Sequence, residues 1–200
     1  MAKNRFALPF APTASREESG GGLHPRRRVL KTLALAPLAL AARHAAAFAA
    51  AQERSLGFYH THTDERLIVT YFAGGEYLPD ALSQIATFLR DFRTGESHAI
   101  DQGLLDMLFG LSQTLDGSVF EVISGYRSPT TNAKLAASSA GVSSNSLHMQ
   151  GRAIDVRLPG VETRLLRDAA ADLRAGGVGH YPESDFVHLD TGRPRVWGPG

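Results

Sequence analysis

Two histidines and an aspartate in the second half of the chain have the residue types and the spacing to hold a metal ion. His148 lies seven residues before Asp155, with Gly151 between them, and His188 lies in the separate stretch Asp185–Asp190. Glycine can supply the turn that brings His148 back towards Asp155. The chain contains no cysteine, which excludes thiolate metal sites, iron–sulfur clusters, disulfides and a cysteine nucleophile. A metal would therefore be held by histidine and carboxylate side chains.

Two predicted strands position these residues on one face of a sheet. In Arg152–Leu158 aliphatic residues alternate with Asp155, and in Phe186–Asp190 they alternate with His188 and Asp190. Successive side chains of a strand point to opposite faces, so the aliphatic residues face the core and the polar residues face away from it. Three protein ligands and one open position form a catalytic zinc site, which ionises water near neutral pH. The residues alone favour a hydrogen-bonded histidine–aspartate pair and an unrelated surface histidine over a metal site.

A signature around the first two candidate ligands matches a known peptidase family. Ser146-x-His148-x-x-Gly151-x-Ala153-x-Asp155 resembles the Ser-x-His-x-x-Gly-x-Ala-x-Asp signature of the zinc D-Ala-D-Ala peptidases, which share a fold with the hedgehog signalling domain. From about residue 56 to residue 197 the chain also resembles the murein endopeptidase K-like branch of that superfamily. This closer match is carried by Leu89–Glu96, Ile123–Pro129, Gly176–Gly179 and Phe186–Arg193, with Trp197. The resemblance implies a zinc ion held by His148, Asp155 and His188, and a cell-wall peptide as substrate.

The resemblance also implies roles for residues beside the ligands. Arg127 occupies the place of an arginine that contacts substrate and stabilises the negative charge growing on its carbonyl oxygen. A structural ion pair is the alternative for Arg127. Family members often place an acid three residues before the last histidine, which makes Asp185 the first candidate for the general base. Positions three apart on a strand face opposite sides, so Asp185 needs a bend to reach the site. Asp190 lies two residues after His188, so it faces the same side of the strand and is the second candidate for the general base. Its alternative role is to orient His188.

The N-terminal residues differ in charge and composition from the remainder. Residues 1–51 carry a net charge of +6 and residues 52–200 a net charge of −5. Arg26-Arg27 precedes the apolar run 33–42, which would span about 15 Å as a helix, too short to cross a bilayer of about 30 Å. This pattern, followed by alanines, is typical of a twin-arginine export signal. We therefore expect an extension and signal at 1–51, a peptidase domain at 52–200 and a periplasmic location, with the twin-arginine export machinery as a partner.

The same charge pattern limits the other partners. A mildly acidic domain argues against nucleic acid as the main partner, because binding phosphates requires a basic face. Contact with the membrane is expected only through the signal segment, which is either cleaved or kept as an anchor.

The order of predicted elements favours an α+β fold. A hairpin is followed by two amphipathic helices, a strand, a helix that begins at Pro129, another strand, a further helix and a last strand. The predicted ranges are Ser55–His60, Leu67–Phe72, Asp80–Arg90, Asp101–Leu115, Val119–Ser124, Arg152–Leu158, Glu162–Arg174 and Phe186–Asp190. We expect a small antiparallel sheet with flanking helices, of the hedgehog/D,D-peptidase type.

Together these observations predict an exported zinc peptidase that hydrolyses peptide crosslinks of peptidoglycan, as a D,D- or L,D-endopeptidase. A D,D-carboxypeptidase acting on stem peptides is the enzymatic alternative. A non-catalytic cell-wall-binding domain of the same fold is the alternative from another class of function.

Overall fold

Most of the predicted elements are present in the computed structural model, which describes residues 53–117, 119–138 and 142–199. The strands are β1 (Arg54–His60), β2 (Arg66–Ala73), β3 (Glu76–Tyr77), β4 (Val119–Ser124), β5 (Ala153–Arg157), β6 (Gly177–Tyr181), β7 (Phe186–Asp190) and β8 (Arg195–Trp197). The α-helices are α1 (Pro79–Phe88), α2 (Gln102–Thr114), α3 (Pro129–Ser138) and α4 (Thr163–Leu173). Within these ranges, none of the helices has both the length and the apolar character of a membrane span. The predicted export signal and the boundary after residue 51 lie outside the described residues.

The strands form one eight-stranded mixed sheet in the order β3-β2-β1-β4-β5-β7-β6-β8. Strand β1 pairs parallel with β4, and β6 pairs parallel with β8, while the other neighbours are antiparallel. The α+β class is confirmed, but the predicted small antiparallel sheet is wrong. Helices α1 and α2 lie between the β1–β2 hairpin and β4, and a connection of that length lets β4 run parallel to β1. Strands β3, β6 and β8 were not predicted because they are short or contain glycine.

The alternating residues of β4, β5 and β7 divide the sheet into an apolar face and a polar face. Ile154 and Val156 of β5 and Val187 and Leu189 of β7 are fully buried in one hydrophobic cluster, together with the leucines of α2. Helix α2 packs against β1 and α4, and α4 packs against β6 and β7. The side chains at intervening positions, including those of Asp155 and His188, therefore project from the opposite face of the sheet.

A buried carboxylate anchors the loop that follows β4. Asp91 accepts hydrogen bonds from the backbone N–H groups of Ser128 (2.9 Å) and Arg93 (3.0 Å). In the same region the Tyr126 N–H donates to the Leu89 carbonyl at 2.8 Å. Burial opposes ionisation of Asp91, but the hydrogen bonds from Thr131, Ser128 and Arg93 outweigh it and lower its pKa to about 2. This anchor fixes the backbone that carries residues 125 to 128.

We expect Asp91 to make stability depend on pH in the acid range. Its pKa is about 2 in the folded protein against an ordinary value of 3.8. The ionised Asp91 carboxylate therefore adds roughly 2 kcal/mol to the free energy of unfolding. This contribution is complete above about pH 4 and is lost as the pH falls towards 2. Urea unfolding should show that Asp91→Asn lowers the free energy of unfolding near neutral pH, with most of the difference gone near pH 2.5. The exposed acid Glu76, changed to Gln, is the control. A difference for Asp91→Asn that stays constant over this range would contradict the assignment.

Candidate metal centre

The antiparallel pairing of β5 and β7 brings two of the three predicted ligands together. Asp155 lies directly opposite His188 in the register of these strands. His148 belongs to the short 3-10 helix Leu147–Gln150, which ends at Gly151 in the left-handed conformation (φ 64°). A Cβ at residue 151 would collide with the Ala99 carbonyl oxygen. Glycine is therefore required at the turn that returns His148 to Asp155, as the sequence predicted.

The donor atoms of these three residues, called the ligand cluster below, form a compact triangle. His148 Nε2 lies 3.2 Å from His188 Nδ1 and 3.3 Å from Asp155 Oδ1, and His188 Nδ1 lies 2.8 Å from Asp155 Oδ1. A tetrahedral zinc ion with bonds of about 2.0–2.1 Å separates its ligand atoms by roughly 3.3 Å. The ligand cluster therefore fits a single ion of that size with one position left for another ligand.

The other ring nitrogen of each histidine is held in place by the protein. His148 Nδ1 lies 2.7 Å from the Gly125 carbonyl oxygen, and His188 Nε2 lies 3.0 Å from Asp190 Oδ2. A carbonyl oxygen only accepts, so Nδ1 of His148 carries the proton and its Nε2 presents a lone pair to the ligand cluster. This is the outer arrangement typical of metal-binding histidines.

Opposite charges balance one another in the ligand cluster. Burial opposes ionisation of Asp155, but His148 and His188 outweigh it and hold the pKa of this carboxyl well below its usual range. Burial also opposes protonation of His188, yet hydrogen bonds to Asp155 and Asp190 raise its pKa to about 9. A metal ion would therefore take the place of a proton on His188.

Arg127 lies beside the ligand cluster and is almost fully buried. Its Nη2 contacts Ser124 Oγ at 3.3 Å and Asp155 Oδ2 at 3.4 Å. Its Nε is buried and has no hydrogen-bond partner among the described residues. Burial lowers the pKa of the guanidinium, and the charge of Asp155 opposes this effect. Arg127 thus forms the ion pair that was its alternative role and still has a free donor.

Asp190, the second candidate for the general base, is completely buried behind His188. Besides His188, it accepts hydrogen bonds from both terminal nitrogens of Arg195 (2.7 and 3.0 Å) and from the N–H groups of Gly177 (3.1 Å) and Gly192 (2.8 Å). Burial opposes its ionisation, but His188 and Arg195 outweigh it and hold the pKa of Asp190 well below its usual range. Both carboxylate oxygens of Asp190 thus accept hydrogen bonds from protein groups.

Asp185, the first candidate, is not brought to the ligand cluster. The bend that it required is present, since its φ is 51° and it follows the short 3-10 helix Pro182–Ser184. That bend directs the carboxylate to Arg157, whose Nη1 lies 3.0 Å from Asp185 Oδ2, and the side chain is 63% exposed. Neither acid therefore presents a free oxygen to the ligand cluster, which a general base requires.

An open cleft of about 510 Å³ surrounds the ligand cluster. Its walls include Arg127, Arg195 and three aromatic residues that sequence analysis left without a role: Tyr181, Phe186 and Trp197. In the sequence, the glycines of β6 were the one signal that side chains pack closely against this strand. Gly177 and Gly179 lie where Arg195 and Trp197 approach it. The cleft leads to the ligand cluster, because His148, Asp155 and His188 are among the residues that line it.

The fold and the site define an α+β protein with a candidate site for a single metal ion in an open cleft. The chain belongs to the peptidoglycan L,D-endopeptidase MepK family, whose model matches residues 48–197. It is 41% identical over 145 residues to peptidoglycan L,D-endopeptidase MepK of Escherichia coli K12, covering 72% of this chain and 80% of that protein. The Shigella flexneri protein of that name gives the same values. A probable peptidoglycan L,D-endopeptidase MepK of Haemophilus influenzae is 39% identical over 146 residues, covering 72% and 78%. The resemblance inferred from the motifs is confirmed.

Binding of a metal ion should be visible in the fluorescence of Trp197. It is the one tryptophan of the chain, and its ring lies 5.3 Å from that of His188. We expect Co²⁺, a paramagnetic quencher, to reduce the emission of the metal-free full chain and to saturate at one equivalent. His148→Ala and Asp155→Asn should each weaken binding by more than the roughly 10–100-fold that loss of an outer partner costs. His98→Ala, an exposed histidine outside the ligand cluster, is the matched control. If both ligand variants bind Co²⁺ as tightly as wild type, the ligand cluster is not the metal site.

Proposed function

We propose that this chain is a zinc peptidase that hydrolyses peptide crosslinks in peptidoglycan, as an L,D-endopeptidase. The observation that carries the proposal is the triangle of donor atoms in the ligand cluster, with separations of 2.8 to 3.3 Å. The substrate class follows the relatives, which are named peptidoglycan L,D-endopeptidases. An open cleft suits an endopeptidase, whose substrate continues on both sides of the bond that is cut.

Zinc is the metal we propose for the ligand cluster. Two imidazoles and one carboxylate suit zinc, and the same donor set also binds Fe²⁺ in oxygenases. A metal that takes part in amide hydrolysis acts as a Lewis acid and undergoes no redox change, which favours zinc here. When bound, the ion would polarise the substrate carbonyl and lower the pKa of its water ligand.

Arg127 is proposed to bind the carbonyl oxygen of the scissile amide. Its buried Nε, which has no partner among the described residues, supports this role, because a buried donor is costly until a substrate group accepts its hydrogen bond. Asp155 and the anchored loop after β4 hold the guanidinium in place before substrate arrives. Such a preorganised donor stabilises negative charge as it develops on the carbonyl oxygen.

Asp190 is proposed to act as a positioning residue rather than as the proton acceptor. Its carboxylate fixes the ring of His188 through Nε2 and so presents Nδ1 to the metal. Arg195 and two backbone N–H groups in turn fix the carboxylate. This chain of contacts supports a role in metal affinity.

Export through the twin-arginine machinery to the periplasm is proposed from the N-terminal sequence. Arg26-Arg27 and the apolar run that follows support it, and peptidoglycan lies outside the cytoplasm. The domain would then fold, and load its metal, before export. Replacing both arginines with lysine should hold the protein in the cytoplasmic fraction. Unchanged export of that variant would contradict this route.

Digestion of purified crosslinked peptidoglycan, with mass spectrometry of the products, tests the activity. The full chain loaded with zinc should convert crosslinked dimers to monomers at L,D-bonds. Chelation and His148→Ala should abolish the conversion because each removes the metal, whereas His98→Ala should leave it unchanged. Release of terminal D-Ala alone would replace the proposal with a carboxypeptidase. Binding to peptidoglycan without any release would replace it with a non-catalytic cell-wall-binding domain.

The two acids near His188 should respond differently to substitution by asparagine. Asp190→Asn should lower zinc affinity about 10–100-fold, because it weakens the support of His188, and excess zinc should restore part of the activity. Asp185→Asn should leave zinc affinity and kcat essentially unchanged, because this exposed carboxylate contacts Arg157. A loss of about 10²–10⁴-fold in kcat for Asp185→Asn at saturating zinc would instead identify Asp185 as the general base.

A further inference from the structure

The Tyr181 hydroxyl in the wall of the cleft has a proton that no described residue accepts. Trp197 Nε1 lies 3.0 Å from the Tyr181 hydroxyl oxygen. An indole N–H only donates, so the tyrosine oxygen is the acceptor and its own proton stays free. Among the described residues, this hydroxyl makes no other hydrogen bond. The Tyr181 ring stacks on Phe186 with centroids 4.7 Å apart and planes at 19°, which fixes its direction. Tyr181 is therefore a held hydrogen-bond donor that lines the cleft.

Several backbone features bring Trp197 into this place. Gly179 of β6 pairs with His188 on one side and with Trp197 on the other. A Cβ at residue 179 would lie 2.5 Å from Cε2 of the Trp197 ring, so the indole enters only because residue 179 is glycine. Gly198 turns the chain immediately afterwards with φ +95°. The indole is thus built in beside the ligand cluster, and its one polar group is committed to Tyr181.

Tyr181 and Arg127 flank the ligand cluster from opposite sides. Arg127 follows β4 and Tyr181 ends β6, while β5 and β7, which carry Asp155 and His188, lie between them. Both side chains line the same cleft. A substrate amide at the ligand cluster would have a donor on each side.

We propose that the Tyr181 hydroxyl donates a hydrogen bond to the carbonyl oxygen of the scissile amide, from the side opposite Arg127, and that Trp197 is the residue that positions it. The inference rests on the proposed function. The proton stays on the tyrosine throughout, and the hydrogen bond strengthens as negative charge grows on the carbonyl oxygen. Tyr181 would then be a catalytic residue.

Steady-state kinetics of the zinc-loaded full chain on a soluble L,D-crosslinked muropeptide dimer test this inference. Tyr181→Phe should lower kcat by about 10²–10³-fold, as for loss of an oxyanion donor, and change KM by no more than about threefold. Trp197→Phe keeps the hydroxyl but loses the group that aims it, so its kcat should fall less. The double variant should be no slower than Tyr181→Phe, because Trp197 acts through Tyr181.

Two further readouts separate this role from a structural one. Zinc content and melting temperature of Tyr181→Phe should match those of wild type. The emission of Trp197 should shift in Tyr181→Phe, because the indole N–H loses its acceptor. Tyr59→Phe is the matched control, since the Tyr59 hydroxyl donates to Asp64 on an exposed hairpin. It should leave kcat, zinc content and emission unchanged.

The outcomes distinguish this inference from the function on which it rests. If wild type cleaves the dimer while Tyr181→Phe keeps its kcat or changes KM alone, the inference is overturned and the proposed function stands. If kcat falls only together with zinc content or melting temperature, the role is structural and the inference is again overturned. If wild type cleaves no crosslink, the proposed function fails and the inference fails with it.

Discussion

The register of β5 against β7 is the constraint on which the candidate site depends. Asp155 lies opposite His188 on the polar face because Ile154 and Val156 pair with Leu189 and Val187 on the buried face. A slip of β7 by one residue would turn His188 into the core and Val187 and Leu189 into the cleft, so His188 would no longer meet Asp155. The hydrophobic effect thus fixes two of the three donor atoms, and no contact within the ligand cluster has to provide that precision.

Two carboxylates, those of Asp155 and Asp190, are buried beside His188. The cost of burying them is offset because each carboxylate has several partners. Asp155 has His148, His188 and Arg127, while Asp190 has His188, Arg195 and two backbone N–H groups. Removing one partner of a buried charge costs more than the pair contributes, because the remaining charge stays desolvated. Residues that do not belong to the ligand cluster, such as Arg195, therefore share in its integrity.

The alternation in β5 and β7 was sufficient to predict from sequence which face carries the ligands, and Gly151 was sufficient to predict the turn. Strand β8 escaped prediction because it has only three residues. Strand β6 escaped prediction because Gly177 and Gly179 disfavour a strand when considered locally. Their value lies in contacts with Arg195 and Trp197, which only the folded chain reveals. The position of Asp185 depended likewise on Arg157, a partner set by the register of another strand.

The walls and the floor of the cleft are formed by different elements of the fold. The floor is the β5–β7 pair, held by the buried core, whereas one wall is the loop anchored by Asp91 and the other is the edge strand β8, seated on Gly179. Loops and edge strands tolerate sequence change better than central strands, because fewer core contacts depend on them. Changes in the walls can therefore alter which peptide is accepted while the ligand cluster stays intact. Arg127 and Tyr181, the two residues proposed to contact the substrate, both line the cleft and both lie outside the β5–β7 floor.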